Sequence, residues 1–352
     1  MSAPKNSGYT TGICAAGAVK ACAMFLKNGV VPENVLIKNL DGELFDLRVV
    51  KNNNLLGIIK NSGAETHDIT NGIFIGAEIF LTGNQGGIKF LKGEGVGVAT
   101  LEGLKIPVGE PAINPIPRMI IKNNLREIFN DGEEILIKII IPDGEKIALN
   151  TFNPRLGILG GLSILGTTGH VKPNDERALL ESLSLELNVI KNNFDSDKIY
   201  ITFGNISQKF LMQLFNIQSQ KIIQAENYIG HVLDEAARLN FNEAIIAGMP
   251  GKLLKVAAGN FVTHNKICDS RFEVLCCHLA LIGASRELIK RVYECNTVNQ
   301  AVKIIDDANF NSVWDNLAQA ALKKCEVRVK NLMRFRIYFL NDDGGVLGCA
   351  KS

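Results

Sequence analysis

The residues of this chain that could do chemistry lie in glycine-rich turns and polar runs. They do not form a nucleophile–base set. Gly204-Asn205 and Gly248-Met249-Pro250-Gly251-Lys252 each follow an apolar β-branched run and precede a helix-like one. Ligands of open α/β sheets bind at such strand ends, where helix N-termini present unpaired N–H groups. Asn260–Glu273 (NFVTHNKICDSRFE) adds Thr263, His264, Asp269, Arg271 and Glu273 nearby. That run reads either as a capped helix with a solvated face or as a polar ligand site. A second glycine-rich stretch, Thr151–Pro173 (TFNPRLGILGGLSILGTTGHVKP), holds no helix or strand period. Such a stretch suits a loop that approaches something closely.

Other motifs fail on context. Gly93-x-Gly95-x-Gly97 follows a strand but leads to Pro107 rather than to a helix, as a dinucleotide fingerprint requires. Gly248-x-x-Gly251-Lys252 lacks the spacing and hydroxyl of a P-loop. Gly161-Leu162-Ser163 is only part of a nucleophile elbow, so a hydrolase is disfavoured. The cysteines (Cys14, Cys22, Cys268, Cys276, Cys277, Cys295, Cys325, Cys349) form no Cys-x-x-Cys pair. Most of them read as small buried hydrophobes, and no protein-bound metal is expected. His67 and His278 have no partner pattern.

These segments need elements to position them. Gly12–Lys27 reads as a helix capped by Thr10 or Thr11 and closed by Gly29. Hairpins are expected around Asp41-Gly42 and around Asp143-Gly144, the latter joining Ile135–Ile141 to Lys146–Leu149. A helix is expected from about Met119 to Phe129, and another from Asn174 to Val189. From Asp197 onward, strands alternate with helices, which argues for a parallel sheet. Arg334–Leu340 reads as an antiparallel strand before the turn Asp343-Gly344. The fold class expected is an α+β N-terminal domain over 1–195, followed by a Rossmann-like α/β C-terminal domain over 196–352.

Bulk properties agree with this division. At 352 residues the chain exceeds a single core's usual size. Hydrophobic residues make up 46% and the net charge is +2, so nucleic acid is not expected as a partner. No apolar run is long enough to span a membrane and no targeting signal is visible, so a cytoplasmic location is expected. A homo-oligomer is compatible with the sequence.

Four strings carry a resemblance: Ser7–Ala21 (SGYTTGICAAGAVKA), Gly109–Arg118 (GEPAINPIPR), Thr151–Pro173, and Gly251–Asn265 (GKLLKVAAGNFVTHN). In this order and spacing they resemble the cobalt-precorrin-5B C1-methyltransferase family. The resemblance spans about Ser7 to Glu273. It implies methyl transfer from S-adenosylmethionine to C1 of a cobalt tetrapyrrole, giving cobalt-precorrin-6A in anaerobic cobalamin biosynthesis. Two places depart from the family pattern. Lys60–Thr70 is less acidic than expected, and Met249 stands where a histidine is expected.

A sulfonium methyl is already activated and the macrocycle carbon is electron-rich. Alignment rather than a covalent protein nucleophile is therefore needed, and alignment can supply up to about 7–11 kcal/mol. Under this resemblance, Gly204, Asn205, Gly248, Gly251, Lys252, Thr263 and His264 are expected to hold the methyl donor. The macrocycle's carboxylates call for cations, hydroxyls and helix N-termini. Thr10, Thr11, Arg118, Arg155, Ser163, Thr167, Thr168 and Lys172 are expected to supply them, with the 1–195 domain binding the macrocycle and the 196–352 domain the donor. No catalytic side chain is assigned. Two alternatives are weighed: a non-catalytic corrinoid-binding or assembly subunit, and a nicotinamide-dependent oxidoreductase, which lacks its Gly-x-Gly-x-x-Gly.

Overall fold

The computed structural model describes residues 8–65, 68–83, 86–130, 132–171, 176–194 and 197–352. The fold is mixed α/β, and the chain divides into two compact units, Met1–Ala178 and Leu179–Ser352.

In the first unit the elements run β1 (Gly8–Tyr9), α1 (Thr11–Asn28), β2 (Asn34–Lys38), β3 (Leu44–Arg48), β4 (Val50–Asn52), β5 (Leu55–Ile59), β6 (Phe74–Gly83), β7 (Gly87–Leu91), β8 (Val98–Ala99), α2 (Pro115–Leu125), β9 (Glu134–Ile140), α3 (Gly144–Ala148), β10 (Ile158–Leu159) and β11 (His170–Val171). A five-stranded sheet has the order β4-β5-β6-β9-β7, and β2–β3 form a separate hairpin. Helix α1 packs on this framework because its buried side is made of small residues. A Cβ at Gly17 would come within 2.7 Å of Leu47 Cδ1 and 2.9 Å of Ile58 Cγ1. The helix is capped by Thr10, whose side chain accepts from Ile13 N–H, and it ends on Gly29 at φ 71°. That positive φ is cheap for glycine.

The Asp143-Gly144 pair does not turn a hairpin. Its residues open the short helix α3, and β9 pairs instead with β6 and β7. The cause is close backbone packing: a Cβ on Gly144 would sit 2.4 Å from Gly95 O, and one on Gly95 1.9 Å from Ile141 O. A Cβ on Gly93 would lie 1.8 Å from Ile139 O. The Gly93-x-Gly95-x-Gly97 run is thus a backbone-packing motif. Helix α2 begins four residues earlier than expected, at Pro115, whose fixed φ suits a first helical turn.

The second unit runs α4 (Glu176–Asn193, whose first residues precede the unit boundary), β12 (Lys198–Thr202), α5 (Asn205–Phe215), β13 (Ile222–Gln224), α6 (Ile229–Arg238), β14 (Glu243–Gly248), α7 (Pro250–Ala257), α8 (Arg271–Leu281), α9 (Arg286–Tyr293), α10 (Val298–Asp307), α11 (Ser312–Arg328), β15 (Arg334–Leu340) and β16 (Val346–Lys351). Leu183, Leu187 and Ile190 of α4 pack in this unit's core. The helix therefore goes with the second unit, whereas the expected boundary at 195 placed it in the first. Asn174, its expected cap, lies outside the described residues. The sheet order is β13-β12-β14-β15-β16, parallel except for β16. Arg334–Leu340 is therefore parallel to β14 on one side and antiparallel to β16 on the other.

The cysteines are less uniformly buried than expected. Cys14, Cys276 and Cys325 are buried, while Cys277 and Cys349 are exposed. Cys349 lies on the edge strand β16, which has a neighbour on one side only. Burial pushes the Cys14 thiol up to about 12, with the Lys60 charge opposing. Among the described residues, no group of three His, Cys, Asp or Glu could hold a metal ion, and no helix is long and apolar enough to cross a membrane.

Candidate functional site

The second unit's sheet has a topological switch point. The chain leaves β12 toward β13 on one side, then returns to place β14 on the other. Connections that part in this way open a crevice at the carboxyl edge, where ligands of such sheets bind. The loop Phe203-Gly204 and the loop Met249-Pro250 border it. Phe203 holds the loops together, since a Cβ on Gly248 would lie 2.7 Å from Phe203 Cδ2 and 3.2 Å from Leu253 Cγ. Beyond that contact the crevice is open: a Cβ on Gly204 or on Gly251 would meet nothing within 4 Å. Gly204 has extended backbone, φ 167°, so its conformation does not require glycine. What its lack of a side chain provides is space.

Both helices that start here lack a side-chain cap. Gly204 has no side chain to cap α5, and Met249 offers none to α7, whose first residue is Pro250. Uncapped N-termini favour an anion through the helix dipole.

Polar residues of the adjoining loops are linked to these turns. Gln224 Nε2 donates to Gln208 Oε1 (2.6 Å) and to Asn205 Oδ1 (3.4 Å). Lys252 Nζ donates to Asn227 Oδ1, and Asn227 O accepts from Thr263 N–H at 2.8 Å. Lys255 is fully buried, and its Nζ donates to Thr263 O at 2.9 Å and to Asn265 Oδ1. Burial lowers the pKa of both lysines; for Lys252 the Lys255 charge adds to this and Glu226 opposes it. The hydroxyls of Thr202 and Thr263 are buried with no hydrogen-bond partner among the described residues. His264 is exposed, and its Nδ1 accepts from Lys266 N–H at 3.2 Å. Asp269 and Arg271 pair with each other at 2.6 and 2.7 Å. The run Asn260–Glu273 thus divides into a strand-edge part around Thr263 and a self-paired part around Arg271.

Gly204, Asn205, Gly248, Gly251, Lys252 and Thr263 therefore lie along one edge, and His264 follows at its margin. Gln224, Glu226 and Asn227 join them without having been singled out from the sequence. A signal was present for Glu226: it follows the second strand, where an acidic residue faces a ribose in dinucleotide folds. Its φ of 52° marks it as held in an uncommon left-handed conformation.

In the first unit, most of the expected macrocycle contacts are engaged within the protein. Thr10 and Thr11 are buried. Thr11 Oγ1 lies 3.2 Å from the carbonyls of Ser163 and Leu165 and accepts from Leu165 N–H at 2.9 Å. Gly12 N–H donates to Leu165 O at 2.9 Å, and Ile13 N–H is capped by Thr10. The first turn of α1 thus binds its own glycine-rich loop in place of an external anion. Ser163 Oγ donates to Asn153 Oδ1 at 2.9 Å, and Asn153 Nδ2 donates to Gly161 O at 3.1 Å. Arg118 is occupied by Glu110 (2.6 Å), Ile113 O (2.7 Å) and Pro111 O (3.1 Å), and it stacks over Phe90. These are fold contacts, because a buried polar group needs a partner wherever it sits. Arg155 lies over the Phe152 ring at 5.8 Å. Thr167 is exposed, and Thr168 accepts from His170 N–H at 3.4 Å. Lys172 lies outside the described residues.

Within the departing segment, Lys60, Ser62, Asp68 and Thr70 form a largely buried ionic cluster. Lys60, only 2% exposed, pairs with Asp68, which also accepts from Ser62 Oγ at 2.6 Å and from Thr70 N–H at 2.9 Å. Burial alone would raise the Asp68 carboxyl, but hydrogen bonds from Lys60, Ser62 and Thr70 outweigh it and hold it at about 2. His67 lies outside the described residues.

Comparison with known proteins covers both units. The CbiD family model matches residues 1–173, and the model described as CbiD, C-terminal domain, matches residues 262–351. A cobalt-precorrin-5B C(1)-methyltransferase of Methanocaldococcus jannaschii is 38% identical over 97% of this chain and 95% of its own. Proteins of the same description from Citrobacter koseri and Alkaliphilus metalliredigens are each 38% identical, over 94% and 98% of this chain and 86% and 92% of theirs. A crystal structure of a cobalamin biosynthesis protein (cbiD) from Archaeoglobus fulgidus is 30% identical, covering 75% of this chain and 84% of that chain at a TM-score of 0.40. With relatives this similar aligned over nearly its whole length, the chain belongs to the CbiD family of cobalt-precorrin-5B C(1)-methyltransferases.

Proposed function

We propose that this chain is an S-adenosylmethionine-dependent C-methyltransferase that methylates C1 of cobalt-precorrin-5B to give cobalt-precorrin-6A in cobalamin biosynthesis. The observation that carries the reading is family membership extending through both units. In this reading the α+β unit binds the macrocycle and the Rossmann-like unit binds the donor.

The strand-edge crevice suits the donor in its chemistry. Open space at Gly204 and Gly251 admits a close approach. The uncapped first turns of α5 and α7, with Lys252 beside them, suit the donor's carboxylate. Thr263 has a buried hydroxyl without a partner among the described residues, and Asn205, Asn227 and Glu226 offer acceptors. The bound donor supplies an electrophilic methyl on a sulfonium. The protein's task is then to hold the reactants in line, which needs no covalent side chain. Arg155, Thr167 and Thr168 of the glycine-rich loop remain the residues proposed there for the macrocycle.

The test is methyl transfer itself. Protein supplied with methyl-labelled S-adenosylmethionine and cobalt-precorrin-5B should yield a macrocycle heavier by one methyl. S-adenosylhomocysteine should bind and NADH should not. If the macrocycle binds and label never reaches it, the protein is a carrier and the enzyme reading fails.

A further inference from the structure

A groove of about 650 Å³ opens on the first unit beside Tyr9. Its volume is in the range of small-molecule sites. Tyr9, Ile58 and Ile59 give it an apolar surface, and Ile59 is 43% exposed. Arg48 and Lys51 line the same groove. Neither has an ion pair or side-chain hydrogen bond among the described residues. Lys20, Lys60, Lys89, Arg118 and Lys146 of this unit are each paired with a carboxylate, whereas Lys122 and Arg126, which line a second groove beside Leu125 and Phe129, have no ion pair among the described residues either. The groove's own acid, Asp46, accepts from the neutral Asn34 Nδ2 at 3.0 Å and offsets part of that positive charge, leaving two cations to one carboxylate in the lining. Tyr9 is held firmly: its N–H donates to Asn61 O at 2.6 Å, it pairs with His170 of the glycine-rich loop, and its ring meets Phe45 edge-on.

An apolar surface edged by two cations without an ion pair complements a ligand with apolar faces and carboxylates at its rim. We propose that this groove takes the carboxylate-bearing edge of the cobalt-tetrapyrrole acceptor. Arg48 and Lys51 hold carboxylates, and Tyr9 and Ile59 cover part of one face. The assignment rests on the function proposed above and deepens it.

Cobalt uroporphyrin III, a flat cobalt tetrapyrrole with peripheral carboxylates, serves as the probe. Its absorbance shift is followed on adding the full chain. R48A/K51A should raise the dissociation constant by about tenfold or more, as the loss of charge-assisted contacts does. K122A/R126A, which removes two cations outside the groove, should leave it within about twofold, because screened distant charges add little. The exchange R48K/K51R should retain binding, and all variants should keep wild-type melting and S-adenosylhomocysteine affinity. A folded R48A/K51A that binds as wild type does, or an equal loss in K122A/R126A, overturns the site. A wild-type protein that does not bind the probe but methylates cobalt-precorrin-5B overturns the groove alone, and one that does neither overturns the proposed function along with it.

Discussion

Gly251 and Gly248 lie in one loop, yet the structure assigns their substitutions opposite consequences. A Cβ at Gly251 meets nothing within 4 Å, and the residue is the second of helix α7. The first carbon of a side chain there therefore clashes with no protein atom. Valine is also a slightly better helix former than glycine, by a few tenths of a kcal/mol. For a domain of this size, 1 kcal/mol moves Tm by roughly 2–4 °C, so Gly251→Val should melt within about 1 °C of wild type. Its side chain would instead occupy crevice volume. If the donor lies there, S-adenosylhomocysteine should bind about tenfold or more weakly, a loss of at least ~1.4 kcal/mol. Gly248→Ala behaves differently, because its Cβ would press on Phe203 Cδ2 at 2.7 Å. Phe203 must shift, and overpacking of this kind costs about 1–3 kcal/mol. Isothermal titration and a melting curve on each variant decide the matter. A folded Gly251→Val with unchanged affinity refutes the crevice as the donor site, and a Gly248→Ala with unchanged Tm refutes the Phe203 packing.

Further outcomes follow from the same geometry. Arg118→Ala should lower stability by about 1–3 kcal/mol in urea denaturation, because it leaves the Ile113 carbonyl without its donor, while Glu110 is 43% exposed and returns to solvent. It should leave macrocycle affinity near wild type. Arg155→Ala should raise the macrocycle's dissociation constant about tenfold while sparing S-adenosylhomocysteine binding, measured by absorbance titration. Asp68 has a folded pKa of about 2, below its unfolded value of 3.8. Its contribution, about 2 kcal/mol, is present above pH ~4 and lost as pH falls toward ~2. Asp68→Asn should remove that acid sensitivity and cost about 3–5 kcal/mol at neutral pH, because Lys60 is left buried and unpaired. Timed alkylation with mass spectrometry should label Cys277 and Cys349 first and Cys14 and Cys325 last, since both of the latter thiols are fully buried and burial pushes their pKa up.

Much of this was legible in the residues themselves. The cap at Thr10, the stop at Gly29 and the Asp41-Gly42 hairpin obey local rules, in which side-chain hydrogen bonds and φ preferences act within a few residues. The alternation of β-branched runs with helices announced the second unit's parallel strands, and with them the strand-end loops around Gly204 and Gly248. The four strings in register carried the family.

Local patterns could not say which polar groups would be consumed. Thr11, Ser163 and Arg118 have the chemistry of ligand contacts. The fold spends them on partners 152, 10 and 8 residues away in sequence, at Ser163 O, Asn153 and Glu110. Asp143-Gly144 has the composition of a hairpin turn, yet Gly95 must pack against Gly144, and a helix results. Asn227 reads as an ordinary loop residue until the strand order brings its loop to the same edge as Gly204 and Gly251. Periodicity and capping are determined by neighbours along the chain. Which hydroxyl, cation or carboxylate stays available is determined by desolvation and pairing across it, and only the tertiary structure decides that.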